Sequence, residues 1–136
     1  MNPDKRDWFD FGIYNRSGEY LGGVVFDNRD RSILRYFADD WEAVENTGKK
    51  FDRGLDYTLS ATINLQNNSW SVFLDGEPLF QNKTLTTSNS TTDLGAIEVG
   101  WWAGREKDFG DNFILFDNYR IAKTKGVPVI TSAGQK

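Results

Sequence analysis

The sequence contains no cysteine and no histidine. Without cysteine there is no disulfide and no thiolate metal site. Without histidine there is no Ser-His-Asp or Cys-His mechanism, no imidazole-bound metal and none of the commonest acid–base group. Basic charge is also short, since 16 Lys and Arg stand against 20 Asp and Glu for a net charge of −4. A nucleic-acid groove needs a basic face, and an anionic membrane attracts basic clusters, so neither partner is expected. No apolar run is long enough for a membrane-spanning helix, and no membrane insertion is expected. The start, from Met1 to Asp7, is polar and lacks an apolar signal core. The expectation is an intracellular protein, or one from which a signal and upstream residues have been removed.

What is present is aromatic. Five Trp, five Tyr and ten Phe make up 15% of 136 residues. That length predicts one domain. Val, Ile, Thr, Tyr, Phe and Trp recur between breaks of Gly, Asn and Asp, which is strand composition with turn punctuation. The pattern predicts strands near 8–14, 20–27, 32–38, 41–46, 56–65, 69–75, 94–103 and 112–122. Residues 1–123 are expected to form one β-sandwich domain and 124–136 a C-terminal extension or tail. The Ser/Thr/Asn-rich stretch from Thr84 to Thr92 reads as a long loop.

The clearest alternation runs through Tyr57, Leu59, Ala61, Ile63 and Leu65, with Thr58, Ser60, Thr62 and Asn64 between them. Strand side chains alternate, so one face is core and the other wet. Gln66-Asn67-Asn68 turns the chain, and Trp70, Val72 and Leu74 continue the apolar set. Asp75-Gly76 is a tight-turn dipeptide, after which the chain returns through Pro78, Leu79 and Phe80. The expected core aromatics are Phe9, Phe11, Phe26, Trp70, Trp101, Phe113 and Tyr119.

The segment from Asp56 to Phe80, DYTLSATINLQNNSWSVFLDGEPLF, resembles the concanavalin A-like lectin/glucanase superfamily in its laminin-G-like branch. The run from Gly110 to Ile121 looks like the closing strand of such domains. With the stretch from Leu94 to Trp102, the resemblance covers roughly residues 9–122. It implies an all-β fold, an antiparallel β-sandwich of the jelly-roll type, and a secreted or cell-surface setting. It does not fix activity, because this jelly roll hosts lectins, hydrolases, lyases and adhesion modules. Such domains usually begin with further strands before the one expected at Trp8. An unpaired edge at residues 8–14 would need cover, for which a second copy of the chain in a homo-oligomer is one expectation.

Several residues are candidates for a binding surface. Ile97, Val99, Trp101 and Ala103 form an apolar set, which leaves Glu98, Gly100 and Trp102 on the other face. An indole can stack on a sugar ring while a carboxylate takes hydroxyl protons. The plainer reading is that Trp102 covers the sheet beneath a loop. Phe9, Phe11 and Ile13 likewise point inward, which throws Trp8, Asp10, Gly12 and Tyr14 outward. Arg35, Tyr36 and Trp41 are candidates for the same sheet. Trp41 follows Asp39-Asp40, and a buried indole anchoring that loop is the preferred reading. Trp102, Glu98, Arg105, Trp8 and Asp10 are the expected ligand contacts.

Two oxygen-rich clusters have the composition of a calcium loop, Asp27, Asn28 and Asp30 in one and Asp108, Asp111 and Asn112 in the other. The resemblance adds that laminin-G-like domains often carry a calcium at a loop rim. The same residues are ordinary turn formers. Glycoside hydrolysis needs two carboxylates across a cleft. The superfamily's hydrolases carry an E-x-D-x-x-E strand, which is absent here. Its lyases usually use a His or Tyr with an Arg-rich strand, and no such set occurs. The leading expectation is therefore non-catalytic recognition of a glycan or polysaccharide. A structural or adhesion domain making protein contacts is the first alternative, and a hydrolase or lyase is the less favoured one. Four sequons, at Asn15, Asn67, Asn82 and Asn89, predict exposed loops.

Overall fold

The computed structural model describes residues 7–102, 114–115, 117–124 and 127–133. All regular elements among them are strands. In chain order they are β1 (Trp8–Tyr14), β2 (Tyr20–Asp27), β3 (Ser32–Tyr36), β4 (Val44–Lys50) and β5 (Thr58–Asn64). There follow β6 (Ser69–Leu74), β7 (Glu77–Thr84), β8 (Ala96–Trp102), β9 (Asp117–Thr124) and β10 (Val127–Ala133). They build two five-stranded sheets, in the orders β4-β3-β2-β1-β8 and β7-β6-β5-β10-β9. Every pairing is antiparallel.

The sheets share one core. The first contributes Phe9, Phe11, Ile13, Val24, Phe26 and Ile33, and the second Leu59, Ile63, Trp70, Val72, Leu79 and Phe80. Phe11 meets Phe26 edge-on at 5.7 Å, and Trp70 meets Phe80 at 5.1 Å. The β6–β7 hairpin turns at Asp75 (φ 51°) and Gly76 (φ 80°), the paired left-handed conformation of the favoured two-residue hairpin. Asp75 Oδ1 accepts from Thr58 N at 2.7 Å, which pins this turn to the start of β5.

Four expectations change. First, β1 is not an edge, because it is hydrogen-bonded to β2 on one side and β8 on the other. The neighbour comes from the C-terminal half of the same chain, so β1 offers no free edge for a second copy. Second, within the stretch expected as a tail, residues 127–133 form β10, which lies between β5 and β9. Pro128 hid this strand, because proline usually marks a strand as peripheral. Third, two of the expected core aromatics lie open, Trp101 at 59% and Tyr119 at 47% exposure. Both sit on edge strands, β8 and β9, where the facing sheet covers less. Fourth, Asn15 is buried and Asn82, though exposed, lies within β7 rather than in a loop, while Asn67 and Asn89 are exposed in loops as expected. Phe113 lies outside the described residues.

Candidate functional site

The outer face of the first sheet carries the site. Alternation sends Phe9, Phe11 and Ile13 into the core and Trp8, Asp10, Gly12 and Tyr14 to the other side. Across the ladder Asp10 faces Val25 and Gly12 faces Gly23. At the end of this pair the register slips, so that Ile13 faces Gly22 and Tyr14 faces Tyr20. Leu21 is the extra residue, and this bulge carries Tyr20 onto the outer face beside Tyr14, ring centroids 5.4 Å apart.

The glycine pair makes room for what lies above it. A Cβ on Gly23 would collide with the Tyr20 hydroxyl and stand 2.6 Å from Asp10 Oδ1. A Cβ on Gly12 would come within 2.9 Å of the Tyr20 ring and 3.0 Å of the Tyr14 ring. The two tyrosines thus lie down over bare backbone and close around Asp10. The Tyr20 hydroxyl donates to Asp10 Oδ1 at 3.4 Å.

Loops raise walls around this floor. Asn15 ties the β1–β2 turn, its Oδ1 accepting from Ser17 N (3.0 Å) and Glu19 N (2.9 Å). Asn15 Nδ2 donates to Thr91 O at 3.1 Å, and Arg16 N donates to Asp93 Oδ1 at 2.8 Å. Thr87 N reaches Phe37 O at 2.8 Å. The segment around residues 85–93 is therefore laced to both the β1–β2 turn and the β3–β4 loop. The enclosed cleft has a volume of about 690 Å³. Its aromatic lining is Trp8, Tyr14, Tyr20, Tyr36 and Trp41. Its acidic lining is Asp10, Glu19, Asp39 and Asp40, and Ser88 and Ser90 add hydroxyls. Among the described residues, no Lys or Arg lines it.

Asp10 is only 6% exposed. Burial pushes its carboxyl up from 3.8 to about 7, against a smaller opposing effect of the Tyr20 hydrogen bond. Burial also raises Tyr14, and the charges of Asp10, Glu98 and Asp39 add to it. Tyr20 is pushed up by burial and by Asp10. Near neutrality Asp10 can therefore hold or release a proton, while the tyrosines remain neutral donors.

The expected contacts divide. Trp8 and Asp10 line the cleft. Glu98 is exposed and faces Gly12 across the β1–β8 ladder, two residue pairs along from Asp10. The backbone of Trp102 faces Trp8, and its side chain lies outside the described residues, as does Arg105. Trp8 is held rather than open. The Arg29 guanidinium lies 4.5 Å from its ring centre, and Trp41 meets it edge-on at 5.6 Å. Trp41 corrects the expectation of a buried anchor, because it is 65% exposed at the cleft wall. Arg35 also differs. Its guanidinium is buried, donating to Thr84 O (2.7 Å) and Glu45 (2.7 Å) away from the cleft.

Tyr20 was missed because its parity matches inward-facing Val24 and Phe26. The adjacent Gly22-Gly23 pair was the available signal, since glycine within a strand marks a bulge or a close approach.

The first calcium candidate has other partners. Asp27 binds Arg29 through both oxygens (3.0 and 2.8 Å). Asn28 Oδ1 accepts from Arg53 Nε at 2.7 Å, and Asp30 caps Ser32. This rim presents two guanidinium groups where a cation needs oxygen. No group of three or more His, Cys, Asp or Glu suited to a metal occurs among the described residues. Asp108, Asp111 and Asn112 lie outside them.

No family model, no curated protein and no solved structure matches this chain.

Proposed function

We propose that the chain is a non-catalytic carbohydrate-recognition domain of the concanavalin A-like jelly-roll type, with its ligand site in the outer cleft of the β1–β3 sheet. The carrying observation is the lining, in which five aromatic side chains and a buried carboxyl converge. Sugars present C–H faces that stack on aromatic rings and hydroxyls that donate to carboxylates. Trp41 offers the larger open indole surface, and Trp8, clamped by Arg29, fixes the wall behind it. Asp10 and the tyrosine hydroxyls sort hydroxyl orientation at the floor.

The test is a glycan-array screen of the wild-type chain with and without calcium, followed by titration of the best glycan. Trp41→Ala should weaken binding about 30-fold, the usual scale for an aromatic anchor. A blank array, or unchanged affinity in folded Trp41→Ala, overturns the reading. The alternative of a protein-contact domain draws on a different surface, where Val99, Trp101, Tyr119 and Ile121 expose apolar area on β8 and β9. It becomes the first reading if Trp101→Ser abolishes capture of a partner while the cleft variants leave it intact.

A further inference from the structure

We infer that the cleft selects sugars carrying a free amine, so that its ligand is a glycan with unacetylated hexosamine units. The inference rests on the carbohydrate reading above and adds the charge of the ligand. Among the described residues, four carboxyl groups line the cleft and no Lys or Arg does. The Arg29 guanidinium, which lies over the Trp8 ring, is already bound by both oxygens of Asp27. A ligand with carboxylate or sulfate groups would meet repulsion from Asp10, Glu19, Asp39 and Asp40. A neutral glycan would leave the floor carboxyl without a counter-charge.

Asp10 is the second observation, independent of the acidic rim. It is only 6% exposed, and it lines the cleft. Its Oδ1 receives one long hydrogen bond from Tyr20, at 3.4 Å, and no hydrogen bond reaches Oδ2 among the described residues. A buried carboxylate is stable when a cation and further donors meet it. An ammonium group carries three N–H donors and one positive charge. Placed against Oδ2, it would also lie among the rings of Tyr14, Tyr20 and Tyr36, whose faces attract cations. Binding would offset the burial that holds Asp10 protonated near neutrality.

Three β-1,4-linked tetramers separate charge from shape: glucosamine, N-acetylglucosamine and glucose, which differ only at the second carbon. Isothermal titration at pH 7 and low salt should show the glucosamine tetramer binding at least 10-fold tighter than the glucose tetramer. Raising salt to about 0.5 M should shrink that advantage, since exposed Asp39 and Asp40 are screened over a few ångströms. Asp10→Asn should remove most of the advantage, and Asp39→Asn, in an exposed loop that tolerates the change, should reduce it about 2- to 3-fold. Equal or tighter binding of the glucose or N-acetylglucosamine tetramer overturns the inference and leaves the carbohydrate reading standing. Binding of none of the three overturns it as well, and the wider reading is then decided by the array and the Trp41→Ala titration.

Discussion

Strands β1 and β5 carry the same apolar alternation and stand in opposite sheets, yet they meet different surroundings. In β5 the inward Leu59, Ala61 and Ile63 are buried, while Thr58 and Thr62 are exposed. In β1 every residue from Phe9 to Ile13 is buried on both faces. The inner face of β1 is dry because it packs on the second sheet. Its outer face is dry because two tyrosines and three laced loops close over a pair of glycines. Alternation thus identifies which face meets the core, but it does not say what the other face meets. The covered outer face is where a carboxyl is held in low-dielectric surroundings, a recurrent mark of functional sites.

The largest expected effect tests the shared half of this comparison. Phe11→Ala should destabilise by about 3–5 kcal/mol, since a buried ring is lost and a cavity remains. Denaturant midpoints at constant slope measure it. A cost under about 1 kcal/mol would mean that the inner face of β1 is not packed as described.

Next comes the outer face. Gly23→Ala should cost about 2–3 kcal/mol, because the new methyl drives into the Tyr20 hydroxyl and Asp10. The double variant Gly23→Ala with Tyr20→Phe should recover part of the loss, as the hydroxyl is the nearest obstacle. No recovery would place the clash in the backbone instead and weaken the cradle argument.

Asp10 gives the comparison a pH axis. Its folded pKa of about 7 lies above the ordinary 3.8. Between these values the folded state binds more protons than the unfolded state, so this group's contribution falls as pH rises from about 4 to about 7. Below pH 4 the carboxyl is neutral in both states, and above pH 7 the full penalty is present. The rise from 3.8 to about 7 sets a ceiling of about 4 kcal/mol. Relaxation around the cleft reduces it, and Asp10→Asn should stabilise by about 1–2 kcal/mol at pH 8 and by almost nothing at pH 4. Thermal melts of both proteins across that range measure the difference. A constant difference would mean that Asp10 is ordinarily hydrated and the outer face of β1 is as wet as that of β5.

Much of this was legible in residues 8–80. The bounds of β1 and β2, the Asp75-Gly76 turn and the inward set of Phe9, Phe11, Trp70 and Val72 follow from period two and turn chemistry alone. Trp8 and Asp10 were also placed together on the outer side. What escaped depends on non-local pairing or on broken periodicity. The bulge at Leu21 inverts the parity of Tyr20. The closure of β1 by β8 joins residues about ninety positions apart. Trp101 has the parity of a core residue, but an edge strand leaves it open. Trp41 was expected to open a strand at 41–46, but β4 begins only at Val44, so Trp41 lies in the preceding loop and its exposure follows from where that loop ends up.

The smallest effect is the sharpest test of the contrast. Thr62 sits on the outer face of β5, opposite Ser71 on β6. Thr62→Ala removes a β-branched side chain, which lowers strand propensity slightly, and weakens its pairing with the strands on either side, β6 and β10. It opens no cavity, because the side chain is exposed. It strands no buried polar group, so the desolvation cost that follows a lost buried hydrogen bond does not arise. The expected loss is under about 0.5 kcal/mol. It should also be the same at pH 4 and pH 8, since no titrating group changes its surroundings. Chemical denaturation at both pH values resolves a loss of that size. A cost above about 1 kcal/mol would show that the outer face of β5 is also covered, and the difference between the two strands would then lie in Asp10 and its tyrosines alone.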